Sequence, residues 1–469
     1  MGKSAQPAVA KPFGMKDKIG YAMGDFGNDF TFILSSMYLL KFYTDVMGVS
    51  AGIVGVMMMA ARFVDAVTDV TMGQIVDRST PTAKGKFIPW MRRFAGPVSV
   101  ASFLMYATWF KDMPMAFKIV WMFATYILWG SVCYTGVNIP YGSLASAVTD
   151  QPSERTQLST WRNIGATAAS TFIGVLLPLV VYYTDENGNS VLSGTKMSIM
   201  ALICSICAFI CYMISTSMCT ERVKIEKKTE TFSFATLMNQ LFSSRSLLSL
   251  IVAMIVLLLS QLTMGNMAAY VFPNYFGNVA AQSVATLGGS VITVVLSLFV
   301  IQPMSKKYGK KEIAIFGNII AAVAYFILFG IHTTSVVVYV VGYLCGYLGL
   351  GFFNGVVWAL IIDVIDEDEV RRGTRSDGTM YSLYSFARKI GQALSSGLSG
   401  ALLTIAGYTT ATAYDADVLD SIYDISTIIP AIGFVLLVLV LLFWYPLSRD
   451  KVEANAAELA KKRRDGQSG

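Results

Sequence analysis

Charge is scarce in this chain: 14% of its 469 residues are charged, where soluble domains carry about a quarter. Histidine occurs once, at His332, and the six cysteines include one close pair, Cys204 and Cys207, set among Ile, Ala, Phe and Ser. A structural zinc site needs four nitrogen or sulfur ligands in spaced pairs. Neither a zinc cluster nor a disulfide framework is therefore expected. The sequence holds no G-x-S-x-G, H-E-x-x-H or G-x-x-x-x-G-K-[ST], which argues against a serine hydrolase, a zinc protease and an ATP-driven pump. The first residues, MGKSAQPAVAKPFGMKDK, lack the apolar core of a cleavable leader. They partly resemble a myristoylation pattern, from which a chain with many spans gains nothing.

Apolar length is what the sequence has in excess. Hydrophobic residues make up 54%, the mean hydropathy is +0.56, and no stretch reads as a soluble domain. A helix crossing a bilayer needs about 20 apolar residues. The pattern predicts twelve, near 20–44, 51–76, 94–110, 115–146, 158–183, 197–219, 246–272, 283–304, 313–331, 336–363, 378–406 and 425–446.

The basic residues test that count, because Lys and Arg collect in cytoplasmic loops. With the N-terminus inside, clusters such as Lys16/Lys18, Lys84/Lys86, Arg222/Lys224, Lys310/Lys311, Arg371/Arg372 and Lys461–Arg464 all fall on that side, while the outside loops hold only Lys111, Lys118 and Lys196. Both termini are thus expected in the cytoplasm, and the net charge of +6 reads as a topology signal rather than a nucleic-acid footprint. The loop at 220–245 divides the chain. The expected organisation is an N-terminal six-helix bundle over 1–219, a cytoplasmic loop over 220–245, a C-terminal six-helix bundle over 246–448 and a cytoplasmic tail over 449–469. Similar Gly/basic loops follow the second helix of each half, DRSTPTAKGK and KKYGKK. Paired bundles with a midplane site are a transporter plan.

An ionisable group inside a span is expensive, so its position is informative. Asp25 and Asp29 lie four apart on the first helix and share a face. Arg62, Asp65 and Asp69 follow on the second at i, i+3 and i+7. Four carboxylates on neighbouring helices leave surplus negative charge, which a proton on one of them or a bound hard cation such as Na+ would neutralise. Hydroxyls at Thr68 or Thr135 would suit such an ion. The structural alternative is an ion-pair network, Arg62 with Asp65 for example, that only locks the helices. Tyr134, Thr135, Asn138 and Tyr141 set polar groups in the fourth helix, where Pro140 frees backbone carbonyls. Arg162 stands about one turn into the fifth helix. Asn354 and Trp358 lie one turn apart on the tenth, and Tyr384, Ser385, Arg388 and Lys389 on the eleventh. Arg388 and Lys389 point about 100° apart, so they do not both face one cavity.

GDFGNDF, YLLKFYTDVMGVSAG, RFVDAVTDVTMGQIVDR, GKFIPW, YGSLASAVT with Glu154–Arg155, and DVIDEDE followed by MYSLYSFARKIGQAL together resemble the glycoside–pentoside–hexuronide:cation symporters of the major facilitator superfamily over essentially the whole chain. VNIPYGSLA and YSLYSFARKIGQA look most like the glucuronide and pentoside carriers. The resemblance implies an all-α integral membrane protein with twelve transmembrane helices in two six-helix bundles. It implies a cation site at Asp65, Asp69 and Thr135 with Lys389, and sugar contacts at Asp29 and Arg162. The melibiose carrier, the family's best-known member, has a sugar-contacting aspartate where this chain has Asn138, a tryptophan where it has Gly142, another where it has Asn354, and Gln-Thr where it has Tyr384–Ser385. These departures argue against melibiose. Fewer carboxylates beside Arg162 suit an anionic hexuronide without excluding a neutral xyloside.

The sequence therefore predicts a secondary transporter for a small glycoside, glucuronide or pentoside, driven by Na+ or H+ through alternating access. Candidate substrate contacts are Asp29, Tyr134, Asn138, Arg162, Asn354, Trp358, Tyr384 and Ser385, with Asp25, Arg62 and Arg388 in structural or coupling roles. It is expected not to be an enzyme, to need no cofactor beyond the coupling ion, to sit in the bacterial inner membrane among lipids, to bind no nucleic acid and to work as a monomer. The same fold carrying a lipid or drug is the first rival; a channel or receptor, which would want a filter loop or rings of charge, is the second.

Overall fold

The computed structural model describes residues 12–82, 85–223, 242–373 and 377–465, without the side chains of 152, 156, 377–382, 385, 460 and 463–465. Most of the loop expected over 220–245, and the side chain of Ser385, lie outside the described residues.

Helices dominate: α1 Met15–Asp45, α2 Ala51–Arg78, α3 Ile88–Leu104, α4 Met115–Ile127, α5 Thr135–Val148, α6 Pro152–Val181, α7 Gly194–Met218, α8 Arg245–Tyr270, α9 Val279–Val295, α10 Ile301–Tyr308, α11 Lys310–Ile331, α12 Val336–Arg372, α13 Asp377–Ile405, α14 Ala416–Leu439 and α15 Arg449–Asp465. Four wider π turns extend or join them, Leu128–Tyr134 between α4 and α5, Val271–Tyr275 after α8, Leu296–Val300 between α9 and α10, and Val440–Trp444 after α14. A two-stranded hairpin, β1 Tyr182–Thr184 and β2 Ser190–Leu192, pairs Tyr182 with Leu192 and was not expected from the pattern. Asp185 closes it by accepting the Asn187 and Asn189 amides.

Helix starts follow local chemistry. Ser193, Ser244 and Asn278 cap α7, α8 and α9 by accepting the amide three residues on. Gly309, at φ +105°, separates α10 from α11. The third helix begins six residues before its expected place because Pro89 fixes its first turn, and Thr108–Phe110, counted as helix on hydropathy, forms a separate 3-10 turn. Its N-terminus is closed from far along the chain. The Glu221 carboxylate accepts the amides of Lys86 at 2.7 Å and of Phe87 and Ile88 at 2.8 Å. Asp17 fixes the neighbouring Arg222 at 2.9 and 3.0 Å.

Among the described residues, nine helical segments are long and apolar enough to cross a membrane. Three more expected spans are helical but miss that standard. α3 has only 17 residues, and α1 and α13 are diluted by polar residues such as Asn28, Asp29, Arg388 and Lys389. Large apolar side chains face outward in mid-helix, among them Val67, Val120, Leu298 and Phe299. Buried polar residues such as Asn28, Thr31, Ser35 and Asp65 lie within the same helices. That inversion of the soluble pattern is what a lipid solvent selects, and the chain is a multi-pass membrane protein.

Contacts divide the described residues into two units, 12–42 with 64–173 and 193–223, and 43–63 with 174–192 and 242–465. In the first, α3 packs on α5 and α7. In the second, α11 packs on α12 and α14, α8 on α13 and α14, and α9 on α12.

Candidate functional site

The first unit brings the acidic residues of α2 against the π turn that precedes α5. The Ser131 hydroxyl donates to Asp65 Oδ1 at 2.5 Å, and the Thr135 hydroxyl to Asp69 Oδ1 at 2.7 Å. Both bonds span 66 residues, so the two helices run parallel and the pairs form successive rungs one turn apart. Asp65 is 4% exposed and Asp69 half-buried. The sequence explains the fit. Gly130 lets α2 approach; a Cβ there would meet Asp65 Oδ1 at 3.3 Å. A π turn widens the helix by one residue, and the Thr135 hydroxyl also lies 3.1 Å from the Gly130 carbonyl. Two carboxylates, two hydroxyls and a backbone carbonyl thus form an oxygen-rich cluster. Hard cations choose such oxygens, and clustered carboxylates equally favour holding a proton. Thr68 turns its hydroxyl to the carbonyls of Val64 and Asp65 on its own helix.

A second cluster joins α1 to α5 and α6. Arg162 Nε donates to Asp25 Oδ1 at 3.1 Å, with the arginine side chain 42% exposed and the aspartate 9%. The guanidinium lies over the Tyr141 ring at 5.5 Å. Tyr141 stacks on Tyr21 at 4.7 Å and donates to its carbonyl at 2.7 Å. Glycine makes this closeness possible, since a Cβ on Gly24 would sit 2.4 Å from the Tyr141 ring. Arg162 is thereby aimed and partly neutralised while part of its side chain stays exposed. Nearby, Asn28 donates to Asn138 Oδ1 at 3.4 Å and accepts from the buried Tyr212 hydroxyl at 2.9 Å. Tyr134 stacks with Phe32 at 6.0 Å and lies 5.4 Å from Trp129. Asp29 is half-buried on α1.

In the second unit Asn354 donates to Gln261 at 3.5 Å. Trp358 packs against Tyr384 with ring centroids 4.9 Å apart, and the Tyr384 hydroxyl points to Met254 Sδ at 3.7 Å. Lys389 is half-buried, Arg388 exposed and Arg62 buried.

Sequence reasoning named Asp65, Asp69 and Thr135 but missed Ser131, Asn28 and Tyr212. One signal was available for Ser131. It precedes Thr135 by four, the same interval that separates Asp65 from Asp69.

Residues 20–449 match the family described as MFS/sugar transport protein. The chain is 32% identical to an isoprimeverose transporter of Lactiplantibacillus pentosus, over 93% of this chain and 89% of that protein. It is 30% identical to a glucuronide carrier protein homolog of Escherichia coli, over 95% of each. Its fold is also similar to the crystal structure of a bacterial homologue of the human lysosomal transporter Spinster, with a TM-score of 0.67 at 12% identity, covering 93% of this chain and 97% of that one. A match along nearly the whole chain and an acid-and-hydroxyl cluster buried in a membrane helix pair lead to one conclusion: the chain belongs to the MFS/sugar transport protein family.

Proposed function

We propose that the protein imports a small glycoside, a glucuronide or a pentoside, by symport with Na+ or H+. One observation carries the reading. Two carboxylates one turn apart on α2 are each met by a hydroxyl one turn apart on the facing helix, which gives a monovalent cation oxygens at two levels. Arg162, fixed by Asp25 and Tyr141, is the candidate anchor for a sugar carboxylate. Asn138, Asp29 and Tyr134 are the candidate partners of sugar hydroxyls and rings. Lys389 remains a candidate from the resemblance, and Asn354, Trp358, Tyr384 and Ser385 remain candidates from the sequence.

The mechanism needs no covalent chemistry. Cation and sugar each strengthen the other's binding by a shared coupling energy, typically 1–3 kcal/mol. Filling the α2 cluster removes surplus charge and favours the state that closes on sugar. In this reading twelve spans cross the bacterial inner membrane with both termini in the cytoplasm, and the monomer is the working unit. Uptake of labelled glucuronides and xylosides by vesicles, with and without Na+ at several pH values, is the test. Accumulation that follows either the sodium or the proton gradient is expected. Sugar binding indifferent to both ions would overturn the proposal.

A further inference from the structure

The ends of several helices in the second unit enclose a basin away from the residues named above. A cavity of about 280 Å³ lies where α10 stops at Tyr308, α11 starts at Lys310 and α15 starts at Arg449. Four cations, Lys306, Lys310, Lys311 and Arg449, line it together with two carboxylates, Asp363 and Glu453. Positive charge is therefore in surplus. Lys310 donates to Asp363 Oδ1 at 2.6 Å. Arg449 donates to Glu453 at 2.7 Å and to the Lys307 carbonyl at 2.7 Å, and Lys311 to the Tyr445 carbonyl at 2.9 Å.

Asp363 is the unusual member. It is 5% exposed, and among the described residues its second oxygen, Oδ2, is buried with no hydrogen-bond partner. A buried carboxylate oxygen without a donor is unfavourable. The site thus asks for a negative group to answer the surplus cations and a donor to answer Oδ2. Its remaining wall is apolar, formed by Leu360, Leu447 and Val452. Beside it the aromatic Tyr308 and Trp444 end two membrane-length helices and are 52% and 36% exposed. Aromatic residues at helix ends mark the headgroup level of a bilayer, and basic pockets at that depth hold lipid phosphates.

We propose that this basin binds a membrane phospholipid, with Lys306, Lys311 and Arg449 holding the phosphodiester and a headgroup hydroxyl or ammonium donating to Asp363 Oδ2. Phosphatidylglycerol and phosphatidylethanolamine carry such a donor; phosphatidylcholine does not. A free phosphate would meet the cations but leave the apolar wall uncovered.

The test uses the full chain, delipidated in mild detergent and offered equal amounts of the three lipids, with retained lipid counted by native mass spectrometry. Phosphatidylglycerol and phosphatidylethanolamine are expected to be retained about tenfold over phosphatidylcholine, the worth of one good hydrogen bond to a charged group. Asp363→Asn should level that preference. Because it also leaves Lys310 without its partner, the double variant Lys306→Gln, Arg449→Gln at accessible positions provides an independent reading, with retention of all three lipids expected to fall about tenfold. Equal retention of phosphatidylcholine by the unaltered protein would overturn the proposal. So would retention unchanged in the double variant, or complete displacement of the lipids by excess inorganic phosphate.

Discussion

Asp65 and Asp363 are almost equally hidden, at 4% and 5% exposure, and each takes one short hydrogen bond, at 2.5 and 2.6 Å. The donors of those two bonds differ in kind. Asp363 meets an ammonium on a neighbouring helix, which adds opposite charge as well as a proton and pins α11 to α12. Asp65 takes its short bond from a serine hydroxyl, which keeps lone pairs of its own. Burial alone does not say how a membrane acid is held. The chemistry of the donor does. An ammonium ties one carboxylate oxygen to a neighbouring helix, and a hydroxyl sets further oxygen lone pairs beside the carboxylate.

This contrast is open to direct attack. The largest effect is expected from Asp65→Asn. Accumulation of sugar against a gradient should vanish, while exchange of labelled for unlabelled sugar across vesicles persists; accumulation at the unaltered level would break the contrast. Lys310→Met should act on stability instead. It strands a buried carboxylate, a change that typically costs about 3–5 kcal/mol, visible in the thermal unfolding of detergent-solubilised protein, and the cation dependence of whatever folds should be unaltered. Arg162→Gln should weaken glucuronide binding about tenfold more than that of a neutral xyloside, and an equal loss for both sugars would remove Arg162 as the carboxylate anchor. The smallest effect belongs to Ser131→Ala and Thr135→Ala. Each removes one hydrogen bond worth about 1 kcal/mol, so an ion titration should show cation affinity falling by roughly fivefold with sugar affinity at saturating cation nearly constant.

Much of this was legible in the sequence because the membrane makes composition speak. Apolar length gave the helices, and the expense of intramembrane charge singled out Asp65, Asp69 and Arg162 before any coordinates. What escaped was geometry. The partner of Arg162 is Asp25 on α1; which two helices touch is a tertiary fact that no period records. Ser131 looked like any serine in an apolar helix, and the π turn that aims it has no motif. The third helix moved because hydropathy counts Trp109 and Phe110 as helix while Pro89 decides where the first turn begins. The basin around Asp363 was out of reach for a further reason. Its residues come from α10, α11, α12 and α15 and from the turns at Gly309 and Leu447, and only folding collects them.

The cap on α3 has a consequence for how the chain is built. The amide of Ile88 waits for a carboxylate 133 positions downstream, which a ribosome adding about 5–20 residues per second reaches roughly 7–27 s later. Throughout that interval the first turn of α3 must borrow its hydrogen bonds from water or lipid headgroups, and assembly of this unit is finished only when the segment beyond α7 arrives to close it.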